Sequence, residues 1–295
     1  MKKKNIYVAW VKFQRRAVSM ESFFDYDCIH ITSLFKHKYF RIFDYVIKSI
    51  KTLGYLFKYK PNVVWIQLTP TFLLNILLLY KRFFNNNVVI VSDCHNGVFV
   101  GKWKKYFSSD LLNKSNIILV HNTVIRDIAI NMGLDPSKTI ILGDKPAEKS
   151  INFIPLQQKE YAKQVLMPCG FSKDEPLEVV FEAAKLIPDI TILISGPKER
   201  GVSLFDYSKK PENVHLIGYL SLQDFETIFL QSDLILGLTT YDHIQLSVAN
   251  EAVGMEQPMV LSNTTLLCEM FNKGVIHVET LNADSIASGT TKKNS

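Results

Sequence analysis

Residues 231–263 read QSDLILGLTTYDHIQLSVANEAVGMEQPMVLSN. Residues 233–238 form an apolar run short enough for a buried strand. Thr239, Thr240, Tyr241 and Asp242 make a polar loop after it. Residues 245–253 are rich in good helix formers, with Leu246, Ala249 and Val253 at helical spacing. Gly254 ends that helix, Pro258 blocks its continuation, and 259–262 is the next strand. Strand, loop, helix, strand is the unit of a parallel sheet, whose ligands bind outside the carboxyl ends of the strands. That end here is 239–243. N–H groups opening the following helix suit a phosphate. Glu251, inside the helix, can accept hydrogen bonds from a ribose diol; a plain solvated helix carboxylate is the alternative.

The same unit recurs in both directions. Before it, strands are expected at 164–167, 190–194 and 213–217, and after it at 275–278. Their loops carry Ser172 and Lys173, Gly196 and Lys198, and Tyr219. Asp174 and Glu175, just before an apolar-periodic run, read as caps of the next helix. The first half shows six more strands, at 5–10, 28–31, 62–67, 88–92, 116–120 and 139–142, separated by helical stretches. Alternation of this kind predicts doubly wound, mostly parallel α/β sheets. Between the halves, 145–159 lacks periodicity and holds Pro146, Ser150 and Pro155. The expected organisation is a domain over 1–144, a linker over 145–162 and a domain over 163–295.

Composition narrows the class. The 295 residues are 47% hydrophobic and 21% charged, which is globular rather than disordered. Cys28, Cys94, Cys169 and Cys268 are scattered without C-x-x-C spacing, as in a reduced, cytosolic chain with no zinc site. The apolar start is too soon interrupted by Lys12 and Arg15 for a signal peptide. The run 72–80 is about half a membrane span. Charge divides unevenly: residues 1–150 carry a net +13 and 151–295 a net −7. The basic half is expected to meet something anionic. No helix-turn-helix, zinc-finger or RNP-type signature supports nucleic acid, so an acidic membrane surface is the expected partner.

Three stretches of the first half hold candidate residues. Residues 12–21 read as a loop whose Arg15 and Arg16 either grip a phosphate or carboxylate or form a solvated charge pair. Residues 35–60 read as an amphipathic helix. Phe40, Phe43, Val46, Ile47, Ile50, Leu53 and Phe57 form its apolar side, and Lys38, Arg41, Lys48, Lys51 and Lys58 its cationic one. Part of the apolar side is expected on the sheet, and the surplus aromatics are expected to touch a membrane. At the end of the fourth strand stand Asp93, His95 and Asn96. An Asp and a His two residues apart place one as general base and the other as its orienter. The alternative is a turn closed by Gly97. No third ligand at metal spacing accompanies them.

NEAVGMEQP with its preceding loop resembles the group 1, family 4-like glycosyltransferases of the GT-B fold. These carry a Glu, seven residues, a second Glu, a Gly and a Pro across this strand–loop–helix–strand. Glu251 matches the second Glu and Pro258 the Pro, while His243 stands where the first Glu is expected. Asp242 is the candidate to replace it. Transferases of mannosyl type similar to this chain have Asp-x-His-Asn where Asp93, His95 and Asn96 fall. Of the family's basic pair for the donor diphosphate only Lys173 has a counterpart, and the family reads the base near Tyr219. The resemblance implies a GT-B fold, two Rossmann-like domains facing a cleft, with Arg15 and Arg16 in its first loop. It implies metal-independent transfer of a sugar from a nucleotide-sugar to a lipid-linked or polysaccharide acceptor, with no cofactor. The expected place is the cytoplasm, peripheral on the inner face of the plasma membrane. The family's long final helix is not expected here, because 279–295 is short and polar. A non-catalytic GT-B-like partner subunit is the alternative.

Overall fold

The computed structural model describes residues 5–35, 38–101, 103–146 and 160–292. The chain forms two compact units, 1–145 and 146–295. Most of the expected linker, 147–159, lies outside the described residues.

The first unit runs β1 (Asn5–Ala9), α1 (Arg15–Phe24), β2 (Tyr26–His30), α2 (Arg41–Tyr59), β3 (Val63–Leu68), α3 (Leu73–Phe83), β4 (Val89–Cys94), α4 (Ser109–Leu112), β5 (Ile117–Val120), α5 (Thr123–Asn131) and β6 (Thr139–Ile141). Its sheet has the order β2-β1-β3-β4-β5-β6, with all neighbouring strands parallel. One face carries the main core, including Ile66, Leu74, Leu77, Ile118 and Ile125. On the other face α1 lays Ala17 and Met20 against Tyr7 and Tyr26.

Two expectations change here. Residues 15–24 are helix, not loop: Gln14 accepts from the Arg16 N–H and caps the turn. Adjacent helical residues diverge by about 100°, so Arg15 is exposed while Arg16 is buried. Helix α2 is also turned over. It buries Asp44, Lys48, Thr52 and Leu56, and leaves most of its apolar side outward. Thr52 accepts from Trp10 Nε1 at 3.0 Å, and Lys48 Nζ lies 3.1 Å from Asp44 Oδ2. The polar stripe is held by partners inside the unit, and the apolar stripe takes the other side.

The second unit runs β7 (Gln164–Pro168), α6 (Leu177–Leu186), β8 (Thr191–Ser195), β9 (Val214–Gly218), α7 (Leu222–Gln231), β10 (Leu234–Gly237), α8 (Ser247–Gly254), β11 (Met259–Ser262), α9 (Thr265–Met270), β12 (Val275–Val278) and α10 (Ala283–Thr291). The order β12-β11-β10-β7-β8-β9 is again parallel throughout. The short, polar tail, where the family's long final helix was not expected, holds the nine-residue helix α10. Asn282 caps it, and Ile286 and Ala287 pack into the core with Val180 and Ala184 of α6. Gly254 is the last residue of α8, and the left-handed turn beyond it falls on Glu256, at φ 55°. Among the described residues no helix is long and apolar enough to cross a membrane.

Candidate functional site

In the first unit, the carboxyl ends of the central strands meet in a buried charge cluster. Asp93 is the penultimate residue of β4 and is 3% exposed. It accepts from Tyr7 Oη at 2.8 Å and from Arg16 Nε at 3.1 Å, and His121 Nε2 lies 3.4 Å from its other oxygen. Arg16 is spent on the same cluster. Its remaining nitrogens donate to Asp144 Oδ1 and to the Leu142 carbonyl, both at 2.6 Å. Burial pushes the Asp93 carboxyl up. The hydrogen bond from His121 and the charges of Arg16 and His121, with Tyr7 helping, outweigh it and hold the pKa at about 2. Burial likewise opposes the Arg16 charge, and Asp93 and Asp144 more than restore it.

The expected pairing of Asp93 with His95 is not formed; Asp93 faces His121 instead. The strand register explains this. Asp93 lies beside Leu119, so continuing the parallel ladder by two residues brings His121 beside His95. The two imidazole rings are 5.9 Å apart, edge to face. His95 Nδ1 accepts the Gly97 N–H at 3.1 Å, which leaves its proton on Nε2. Desolvation, then the neighbouring His121, hold its pKa below the ordinary value, so this ring stays neutral near pH 7. In the neutral form of His121, the proton on Nε2 faces this carboxylate and the lone pair falls to Nδ1. The cluster therefore offers one imidazole as an acceptor of protons and one as a donor of a hydrogen bond. Asn96 begins the short turn beyond His95 and is half-buried. Sequence reading gives His121, at the end of the neighbouring strand, no role.

In the second unit, the loops after β7, β8, β9 and β10 share one end of the sheet. Asp174 ties two of them together. Its carboxylate accepts from Thr239 Oγ1 at 2.8 Å, and its carbonyl accepts the Thr240 N–H at 2.8 Å. Thr239 is wholly buried, and its own N–H donates to Ser262 Oγ. It holds the loop from beneath, through these bonds. Thr240 and Asp242 are exposed, and His243 is half-buried with its ring stacked on Tyr241 at 5.5 Å. Glu251 is 8% exposed on α8. Near it Gln245 Nε2 donates to Asn250 Oδ1, while Gln245 Oε1 is buried with no hydrogen-bond partner among the described residues.

The loop after β7 closes on itself. Glu175 accepts from the N–H groups of Gly170 and Ser172, each at 2.8 Å, and from Ser172 Oγ at 3.0 Å. Glu175 thus seals the loop rather than the helix start read in the sequence. Lys173 projects beside it, exposed. Gly196 after β8 has φ 131°, and a Cβ there would stand 2.0 Å from the Cys169 carbonyl oxygen, so only glycine fits. Lys198 is exposed and Tyr219 is 86% exposed at the end of β9.

Neither a family model nor any curated protein matches the chain. Solved structures do. Alr3699/HepE of Anabaena, in complex with UDP and glucose, aligns over 98% of this chain and 89% of its own. The TM-score is 0.70 at 11% identity. The chain has the GT-B fold. A glycosyltransferase from Rickettsia africae covers 98% of this chain and 87% of its own, with TM-score 0.67 and 16% identity. UDP-GlcNAc 2-epimerase from Neisseria meningitidis, bound to UDP-GlcNAc, shares the fold at TM-score 0.55 and 15% identity, over 98% and 90%. The GT-B frame thus serves both group transfer and epimerisation, and function has to be argued from the site.

Proposed function

We propose that this GT-B protein is a glycosyltransferase that moves a sugar from a nucleotide-sugar to a lipid-linked or polysaccharide acceptor at an anionic membrane surface. The observation that carries the reading is Glu251. It is a carboxylate more than nine-tenths buried on the helix that follows the strand-end loop, next in sequence to Asn250, which takes the Gln245 amide. Acceptors placed there suit the hydroxyls of a ribose. Thr240, Asp242, His243, Gly196, Lys198, Ser172 and Tyr219 are the remaining candidates for donor contact. The second unit would bind the donor, and Lys173 with the loop N–H groups would offset the leaving diphosphate without a metal. The resemblance to group 1 transferases and the nucleotide-bound structural neighbours agree with this.

Transfer needs a base for the acceptor hydroxyl. His121, oriented by Asp93, fits that role. His95 Nε2–H and Asn96 fit as hydrogen-bond donors to the sugar or acceptor, and exposed Arg15, next in sequence to Arg16, is the remaining candidate for an anionic group. Arg16 and Asp93 act as positioning residues.

Titrating the purified chain with UDP and other nucleoside diphosphates, followed by hydrolysis of a nucleotide-sugar panel, tests the reading. Glu251→Ala is expected to weaken nucleotide binding by about 1–3 kcal/mol with intact folding. Unchanged affinity would remove Glu251 from the site, and no turnover with any donor would remove the enzyme. Turnover that needs added Mn²⁺ or Mg²⁺ would sink the metal-free mechanism. A second reading, a non-catalytic subunit, is favoured by Glu175 already occupying the N–H groups of the β7 loop; it expects nucleotide binding without turnover.

A further inference from the structure

Helix α2 presents to solvent the side that a soluble domain would hide. Taking 100° per residue, Asp44, Lys48, Thr52 and Leu56 span the packed side. The polar members of that side are satisfied within the unit. Asp44 accepts the Leu34 N–H at 2.8 Å, and Lys48 donates to Ser33 Oγ at 2.8 Å and to the Trp10 carbonyl at 3.3 Å. The opposite arc is apolar. Ile42 is 75% exposed, Phe43 62% and Ile50 63%, with Val46 and Phe57 between 40% and 55%. The arc continues onto the end of α3 through Phe84, whose ring meets Phe57 at 4.8 Å, edge to face. A patch of this extent on a soluble surface marks an interaction site.

Charge decides the partner. Between residues 31 and 92 the sequence holds nine Lys and Arg and one acid, Asp44. That acid is buried against Lys48. Lys51 and Lys58 border the arc by helical rotation, and both are exposed. Lys58 Nζ lies 5.2 Å over the Tyr59 ring and the Arg82 guanidinium 5.6 Å over Phe83, cations resting on apolar surface with their charge outward. A second copy of this chain would bring the same positive rim and be repelled. An anionic bilayer offers acyl chains to the arc and phosphates to the rim.

We propose that α2 and the end of α3 form a membrane-inserted surface. Ile42, Phe43, Val46, Ile50, Phe57 and Phe84 enter the acyl boundary, and Lys51 and Lys58 lie at the headgroups. The proposal rests on the reading that the chain works at an anionic membrane, and adds which face enters and that insertion, not charge alone, holds it. The helix has 19 residues, about 28 Å, and lies in the plane of the surface.

The test uses the full chain and vesicles of phosphatidylglycerol with phosphatidylethanolamine, against pure phosphatidylcholine. The double variant Ile42→Ser, Ile50→Ser is expected to lose at least tenfold in partitioning to the anionic vesicles. Both positions are exposed, so nucleotide binding and circular dichroism are expected to stay as in the parent. Lys51→Gln, Lys58→Gln is expected to bring affinity for anionic vesicles towards that for neutral ones. Ile50→Trp is expected to shift its emission to the blue on binding and to be quenched by lipids brominated in the acyl chain. Equal binding by parent and serine variant, with complete release in high salt, would leave attraction by charge alone and overturn insertion. A concentration-dependent dimer abolished by the serine variant, with no vesicle binding, would assign the face to a second copy and overturn it too. Vesicle binding without nucleotide binding would instead remove the donor site and leave this surface standing.

Discussion

The two units share one architecture and use its strand ends in opposite ways. In the first, charged side chains are drawn inside and locked: Arg16 serves Asp93 and Asp144 at once, and Asp93 is shared among Tyr7, Arg16 and His121. In the second, the same end of an equivalent sheet carries exposed loops such as Thr240, Asp242 and Lys173, held from beneath by Asp174 and Ser262. A parallel sheet settles where a site lies. Whether that site is a fixed charge cluster or an adaptable backbone surface depends on which loop residues find buried partners. Fixed dipoles suit chemistry, because they need no reorganisation during reaction. Exposed loop side chains suit a ligand that arrives and leaves.

That difference is broken most sharply in turnover. Removing the His121 imidazole is expected to lower kcat on the order of 10²–10⁴-fold, as loss of a general base does, with donor affinity nearly unchanged. His95→Ala is expected to cost less, since His95 offers a hydrogen bond and not a proton acceptor. A larger loss in His95→Ala than in His121→Ala would return the base to His95. Full activity in both variants would mean that the charge cluster only builds the fold.

Next comes stability. Arg16→Met leaves the buried Asp93 without its cation, and breaking such a pair is expected to cost about 3–5 kcal/mol. Trp10, Trp65 and Trp103 all lie in the first unit, so tryptophan emission during urea unfolding reads that unit alone. Acid adds a check on sign. The Asp93 pKa, about 2 in the folded chain, lies below the ordinary value near 3.9. Its contribution is therefore full above about pH 4 and is lost as pH falls towards 2. In Arg16→Met the loss is expected to begin at higher pH. A tryptophan-monitored midpoint insensitive to the substitution would show that the cluster is not holding the unit together.

The same contrast accounts for what the sequence disclosed. Strands β7 to β12 were legible as short apolar runs between turn signals, and the place of Glu251 inside α8 was legible from the helix formers around it. The partners of Asp93 were not. Arg16 and Asp144 are 128 residues apart, and His121 lies on the neighbouring strand, so register alone brings them together. The facing of α2 was legible only in part, for a different reason: Leu53 does pack on the core, while Phe43, Val46, Ile50 and Phe57 stay outside. Periodicity shows that a helix has an apolar stripe, but not which stripe the sheet takes. Here the i, i+4 series Asp44, Lys48, Thr52 meets Trp10, Ser33 and the Leu34 N–H, and the polar side wins. Residues 12–21 look like a loop because their charges are mixed; as helix α1 they put Ala17 and Met20 inward.

The smallest expected effect sits in the second unit, at Glu175. Its two oxygens take the Gly170 and Ser172 N–H groups in the manner of a bound anion. If the donor diphosphate uses that loop, it competes with a carboxylate already there. Glu175→Gln keeps the side-chain shape and removes one charge. At about 4 Å that charge is worth roughly 1 kcal/mol in a well-solvated loop, so nucleoside diphosphate affinity is expected to rise about fivefold. Sulfate or chloride should blunt the gain by filling the freed loop. Affinity that falls instead would show that Glu175 holds the loop in its binding shape, and unchanged affinity would place the diphosphate elsewhere on the second unit. Because Glu175 lies in the second unit and all three tryptophans in the first, neither outcome should move the tryptophan-monitored stability of the first unit. A shift there would mean that the two units do not divide binding and chemistry as proposed.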